Sequence, residues 1–146
     1  MPLKHACHKV YEIKYHLIFI IKYRKDLFLE ERYVSCLKDI MKDIEKRYFL
    51  IPETMGFEED HVHMLMQAAP RYAPSRVFQI VKSIAARELF QRFPELKEEL
   101  WGGEFWSDGG FVRTVGEGTN AELIRNYIKK QGRNDEQLKL VEFTEA

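Results

Sequence analysis

From Tyr11 to Tyr23 every odd position is apolar or aromatic: Tyr11, Ile13, Tyr15, Leu17, Phe19, Ile21 and Tyr23. Even positions include Glu12, Lys14, His16 and Lys22. A period of two held this long predicts a strand with one face in a core. The period then changes. From about residue 30 to Tyr48, Leu37, Ile40, Met41 and Ile44 recur at three-and-four spacing, with Lys38, Lys42, Asp43 and Lys46 between them, which predicts an amphipathic helix. Leu50 to Phe57 reads as a strand, placed at a sheet edge by Pro52, and His61 to Ala68 as the next one. After a connection from Pro70 to Pro74, Ser75 is the expected cap of a helix with the stripe Val77, Ile80, Val81, Ile84 and Leu89, interrupted by Pro94.

The glycine- and aromatic-rich run WGGEFWSDGGFVRTVGEG predicts two short strands around a turn at Asp108, Gly109 and Gly110. Asn120 is the expected N-cap of a last helix, about 120–131, stopped by Gly132 and followed by a charged tail, 133–146. The order strand, helix, strand, strand, helix, strand, helix, with no repeat or linker, predicts one α+β domain over residues 1–146. Its antiparallel sheet should be close to a ferredoxin-like arrangement.

With 45% apolar and 32% charged residues in a chain of 146, the composition is that of an ordinary globular protein. The 23 basic and 23 acidic residues cancel, so only local clustering can argue for a nucleic-acid partner. Cys7 and Cys36 form neither a disulfide framework nor a zinc-finger pattern, in keeping with a reducing cytoplasm. MPLKHACHKVYE lacks the apolar core of a signal peptide, and Leu17–Ile21 is far too short to span a bilayer. A cytoplasmic protein without a membrane partner is expected.

Chemistry is concentrated in two places. In EEDHVHMLMQ, His61 and His63 lie two apart on a strand, so both imidazoles face one way, roughly 6–7 Å apart at the backbone. They are a candidate metal site lacking a third ligand, or else surface or hydrogen-bonded histidines without one. A structural zinc site would need a Cys/His cluster that is missing. Val62, Met64 and Met66 should face the core. Asp60 either orients a ligand imidazole or simply ends the acidic patch. His16, on the polar face of the first strand, reads as an exposed histidine unless the two strands are neighbours. His5 and His8 sit in a terminus expected to fray.

In IRNYIKKQGR, Tyr127 and Gln131 lie one helical turn apart, amid Arg125, Lys129, Lys130 and Arg133. A phenol framed by cations suits phosphate chemistry, although Ile124, Tyr127 and Ile128 equally make a packing stripe. Further DNA-contact candidates are Lys22, Arg24 and Lys25, then Arg71 and Arg76, then Lys82 and Arg87. Lys82 and Arg87 flank an apolar stripe on a helix that would present them together.

The DHVH strand, the block KSIAARELFQRFPELKEELWGGEFWSDGGFVRTVG and the terminal NYIKKQG resemble the single-tyrosine HUH transposases of small insertion sequences. The resemblance runs from YHLIFIIKYRKDLF to Gln131. It matches the histidine–hydrophobic–histidine motif to His61, Val62 and His63, the catalytic tyrosine to Tyr127, and the third metal ligand to Gln131. It implies a divalent cation, magnesium or manganese. Two imidazoles and an amide oxygen suit manganese or a later metal better than magnesium.

The resemblance further implies attack by Tyr127 on single-stranded DNA carrying hairpin ends, a 5′-phosphotyrosine intermediate, and no nucleotide cofactor. A homodimer is implied as well, with Gly116–Asn120 as a hinge before the tyrosine helix. Three rivals make different demands. A domesticated relative acting on chromosomal repeat hairpins would keep the chemistry. A non-catalytic RRM-like module would display stacking aromatics on an exposed strand face. A metal-dependent hydrolase would not need Tyr127.

Overall fold

The computed structural model describes residues 4–6, 9–11, 13–115 and 128. Strands β1 (Lys4–Ala6) and β2 (Lys9–Tyr11) form a two-stranded antiparallel ladder pairing Lys4 with Tyr11, where a frayed terminus was expected. The long alternating segment is correspondingly shorter than its periodicity suggests. Strand β3 is Ile13–Ile20, and Lys22–Arg24 turns away as a single 3-10 turn.

Helix α1 (Glu31–Tyr48), strands β4 (Ile51–Glu58) and β5 (His61–Ala68), helix α2 (Pro74–Arg92), the short α3 (Leu96–Glu99) and strand β6 (Phe111–Val115) follow. The sheet runs β4–β5–β3–β6, each neighbouring pair antiparallel. Each half is a strand, a crossover helix and a strand two places away, with the partner half's strand between. This is the ferredoxin-like, split βαβ order expected from the sequence.

Both helices pack on one face of the sheet. Tyr15, Leu17, Phe19 and Ile21 from β3 and its end meet Val62, Met64 and Met66 from β5. Leu37, Ile40, Met41 and Ile44 of α1 and Val77, Ile80, Val81, Ile84 and Leu89 of α2 close over them. These are the residues picked out by the two periodicities. Cys36 is a buried free thiol in the same core, its pKa raised by burial. Strand β4 lies at an edge and is bulged between Pro52 and Thr54, where the missing N–H interrupts the ladder.

Two local expectations need correction. Ser75 does not cap α2: the N-cap is Ala73, and Pro74 takes the first turn, where its fixed φ suits the helix and its absent N–H costs nothing. The aromatic run contributes one strand, not two. Trp106 makes only an isolated bridge to Ile21 before β6 begins. Gly110 explains why the chain passes so close there, because a Cβ on it would lie 2.4 Å from the Ile18 carbonyl oxygen and 3.0 Å from Phe78 Cζ. A Cβ on Gly109 would meet nothing nearer than 3.5 Å. Gly110→Ala is therefore expected to cost about 1–3 kcal/mol or more, and Gly109→Ala a few tenths. Urea midpoints of the two variants check this, and equal midpoints would refute the close approach.

The even face of β3 is not solvated as its polar residues suggested. Lys14, His16 and Ile18 are buried, as are His61, His63, Leu65 and Gln67 on the same face of β5. On this face β3 has β5 on one side and β6 on the other, so its side chains have neighbours across both ladders. Lys14 reaches Glu53 at 3.5 Å. Among the described residues no helix is long and apolar enough to cross a membrane.

Candidate active site

The tight turn at Glu59–Asp60 joins β4 to β5 and sets His61 at the first position of the strand. His61 and His63 face the same way, as two-residue spacing requires. Their ring centroids are 5.1 Å apart and the rings are inclined at 67°. Each ring is held through its Nδ1 by a different partner.

For His61 the partner is Asp60, whose Oδ1 lies 2.7 Å from Nδ1. The other carboxylate oxygen, Oδ2, accepts from Arg24 Nε at 3.0 Å. Burial alone would push the Asp60 pKa up, but the hydrogen bonds from His61 and Arg24, with their charges, outweigh it and hold the carboxyl below its ordinary value. Asp60 is thus an anionic acceptor that fixes the ring, as carboxylates behind metal-binding histidines do. Of the two readings of Asp60, orientation is the one its geometry supports. Arg24, a phosphate-contact candidate by sequence, is tied to this carboxylate.

For His63 the partner is His16, an outcome opposite to the exposed strand histidine expected. His16 is 0% exposed. Its Nε2 lies 3.1 Å from His63 Nδ1, and the rings stack at 5.3 Å and 17°. Strand pairing aligns Ile18 with His63 and His16 with Leu65, so the two histidines are diagonal neighbours on one face. Burial, and secondarily Arg113 on β6, lower the His16 pKa to about 4, so His16 is neutral at pH 7.

A neutral His16 can accept from His63 Nδ1–H, the tautomer in which His63 offers a lone pair on Nε2. His16 then carries its own proton on Nδ1, which has no hydrogen-bond partner among the described residues. With both Nδ1 atoms engaged, Nε2 is the donor each ring can offer a cation, and the pair fits a divalent metal that accepts imidazole. Among the described residues no third His, Cys, Asp or Glu completes a cluster.

The buried His16 gives the metal-free protein a pH signature. The groups facing it are His63 on β5 and Phe111 and Arg113 on β6. Its value of about 4 in the fold lies below the 6.5 of an ordinary histidine, so the unfolded chain binds more protons between those limits. The stabilising contribution is intact above about pH 6.5 and is lost as pH falls towards 4, roughly 3 kcal/mol in all. The Asp60 carboxyl, held low, adds its loss only at still lower pH. Melting temperatures in chelator should fall more steeply across that window for the wild type than for His16→Leu, and parallel slopes would refute the assignment.

The remaining candidates divide. Lys22 is paired with Glu104 at 3.1 Å, which raises its pKa chiefly through that hydrogen bond. Lys82 lies over the Phe78 ring at 5.7 Å, and Arg87 is exposed five residues further along α2. At about 100° per residue the two point roughly 140° apart, so the helix does not present them together. Arg125, Tyr127, Lys129, Lys130 and Gln131, with the hinge and the capping Asn120, lie outside the described residues. Ile128, the one described residue of that segment, is helical and buried. Tyr15 and Phe19 of β3 lie in the core, whereas Phe111 of β6 lies on the opposite face, edge-on to His16.

Comparison with known proteins identifies the family. The model of the family described as "Transposase IS200 like" matches residues 9–131. The ISDra2 transposase TnpA of Deinococcus radiodurans is 40% identical over 122 residues, 84% of this chain and 86% of that protein. The transposase of insertion sequence element IS200 from Salmonella typhimurium is 32% identical over 132 residues, 90% of this chain and 85% of that one.

Among solved structures, a Deinococcus radiodurans R1 protein assigned as a transposase has a TM-score of 0.68 at 36% identity, covering 88% of this chain and 97% of its own. A REP-associated tyrosine transposase bound to a REP hairpin has a TM-score of 0.57, covering 85% of this chain and 70% of its own; at 10% identity this is a likeness of fold alone. The chain belongs to the IS200-like transposase family and is a DNA transposase.

Proposed function

We propose that this transposase cleaves and rejoins single-stranded DNA at the ends of its insertion sequence, recognising hairpins there, with Tyr127 as nucleophile. The phenol oxygen of Tyr127 bonds to the scissile phosphorus as the phenol loses its proton. The bond from phosphorus to the 3′ oxygen breaks, and that oxygen takes up a proton as a free 3′-OH. A 5′-phosphotyrosine link remains, and attack by a 3′-OH reverses the step and frees the tyrosine. Energy is conserved in the link, so no nucleotide cofactor is needed.

His61, His63 and Gln131 hold the divalent ion, magnesium or manganese. Such an ion, when bound, polarises a non-bridging phosphate oxygen and offsets developing negative charge. Asp60 and His16 fix the ring orientations beforehand, so the two imidazoles need not reorganise. Arg125, Lys129 and Lys130 accompany the tyrosine and attract the DNA backbone. The enzyme works as a cytoplasmic homodimer.

The observation that carries this reading is the pair of neighbouring imidazoles, each locked through Nδ1, in a family of transposases. Relatives at 32–40% identity are insertion-sequence transposases, which favours mobility over a chromosomal-repeat role. The test is a denaturing gel of protein incubated with end-labelled single-stranded DNA and manganese. Label at the 3′ end should stay on the protein and label at the 5′ end should be released; the reverse polarity, or cleavage with no adduct, would overturn the mechanism. A smaller effect is expected for Asp60→Asn. Manganese affinity, read by calorimetry, should fall about 10- to 100-fold through the loss of the anionic acceptor.

A further inference from the structure

Among the described residues the exposed large apolar side chains are Tyr23, Leu29, Phe49 and Trp101. Two of these meet. The rings of Tyr23 and Trp101 stack with centroids 5.5 Å apart at 26°, and Tyr23 Oη donates to the Trp101 carbonyl at 3.1 Å. Even so, the indole remains 71% exposed and the phenol 49%. The contact therefore keeps little apolar surface from water.

The backbone is nevertheless bent to make it. Tyr23 and Arg24 sit at φ 59 and 51, in the left-handed region, and Gly102 and Gly103 at φ 106 and 80 carry the chain past Trp101. Non-glycine residues avoid that region, and such strain gathers where a surface must be held in place for a ligand. The stack also adjoins the candidate active site. Ile21 N–H donates to the Asp60 carbonyl at 2.9 Å, and Arg24, next in the chain to Tyr23, grips the carboxylate that orients His61.

Cations beside the stack can meet a phosphate-bearing ligand, with Glu104 and Asp108 also acting on Lys22. Lys22 Nζ lies 5.8 Å from the centre of the Tyr23 ring, and Arg24 and Lys25 follow directly in the chain. Glu104 engages Lys22 and Asp60 engages Arg24, each through one contact. The Arg24 side chain stays 67% exposed, and both cations retain donors for a phosphate.

We propose that the Trp101–Tyr23 stack is a base platform for single-stranded DNA. The open face of the Trp101 indole takes one unpaired base next to the scissile phosphate, and Arg24 and Lys25 take the adjoining backbone. Stacking of this kind accepts any base, because every base has a π-face. The assignment rests on single-stranded DNA being the substrate, and it places a binding contact outside both the histidine pair and the tyrosine helix.

The test is equilibrium binding of labelled single-stranded oligonucleotides to full-length protein in chelator, where no cleavage occurs. Trp101→Ala is expected to bind roughly 5- to 150-fold more weakly, the range seen for loss of one stacked base, and Trp101→Phe to stay close to wild type. Trp106, the other tryptophan, is only 3% exposed, so DNA should quench mainly the emission of Trp101.

An abasic nucleotide walked along the oligonucleotide should weaken wild-type binding at one position beside the cleavage site and have no further effect there in Trp101→Ala. Wild-type affinity in Trp101→Ala, without quenching in the wild type, would overturn the platform while leaving the covalent chemistry standing. A wild type that neither binds single strands nor forms an adduct would overturn both. Thermal melting of Trp101→Ala, expected to match wild type, separates loss of the contact from loss of fold.

Discussion

Tyr127→Phe is expected to form no detectable covalent adduct and to lower strand cleavage by at least about a thousandfold, while oligonucleotide binding changes little. Phenylalanine keeps the ring and removes only the oxygen that would bond to phosphorus. The measurement is adduct yield and cleavage rate on end-labelled single strands. Residual cleavage at wild-type rate with no adduct would identify a hydrolase that needs only the histidine pair. Loss of binding together with cleavage would instead mean that the tyrosine matters for packing its helix.

The second large effect is expected at His63, and it has two readouts. His63→Leu removes one of two imidazole donors, so manganese affinity and cleavage should each fall at least a hundredfold. It also strands the buried Nε2 of His16, which now faces an apolar side chain. Leaving a buried polar atom unpaired costs about 1–3 kcal/mol, whereas replacing both partners by apolar groups of similar size can be nearly neutral. The double variant His16→Leu/His63→Leu should therefore recover much of the stability lost in His63→Leu and none of the manganese affinity. Urea unfolding and calorimetry on the four proteins of the cycle separate the two terms. Additive stabilities would show that the 3.1 Å contact carries no coupling.

Some of this was legible in the sequence for clear reasons. Alternation in β3 and the three-and-four spacing in the two helices are local signals, and the residues they selected form the core. Pro52 marked an edge strand for the same local reason. The histidine pair was visible because strand geometry alone aligns residues two apart.

His16 was misjudged because its burial depends on neighbours far away in the chain. The even face of β3 gains its lateral neighbours only from β5 and β6, and the contact with His63 depends on a register that no single strand declares. The contact of Arg24 with Asp60 was not legible because nothing in YRK announces left-handed backbone at two non-glycine residues. Ser75 looked like a cap until the proline before it took the first turn.

The strand order also has a consequence for how the protein comes into being. β3 is the earliest of the four main strands to leave the ribosome, yet its two edges are filled by β5 and by β6, whose Phe111 pairs with Ile18 and whose Val115 pairs with Lys14. Contacts so distant in sequence form late, after the entropy of closing the long intervening chain has been overcome. The wall carrying His16 and His63 therefore stays open on its β6 side until most of the polypeptide exists. A nascent or truncated chain lacking β6 has both motif histidines but not the enclosed face that orients them, so competence to act on DNA arrives only with the nearly finished molecule.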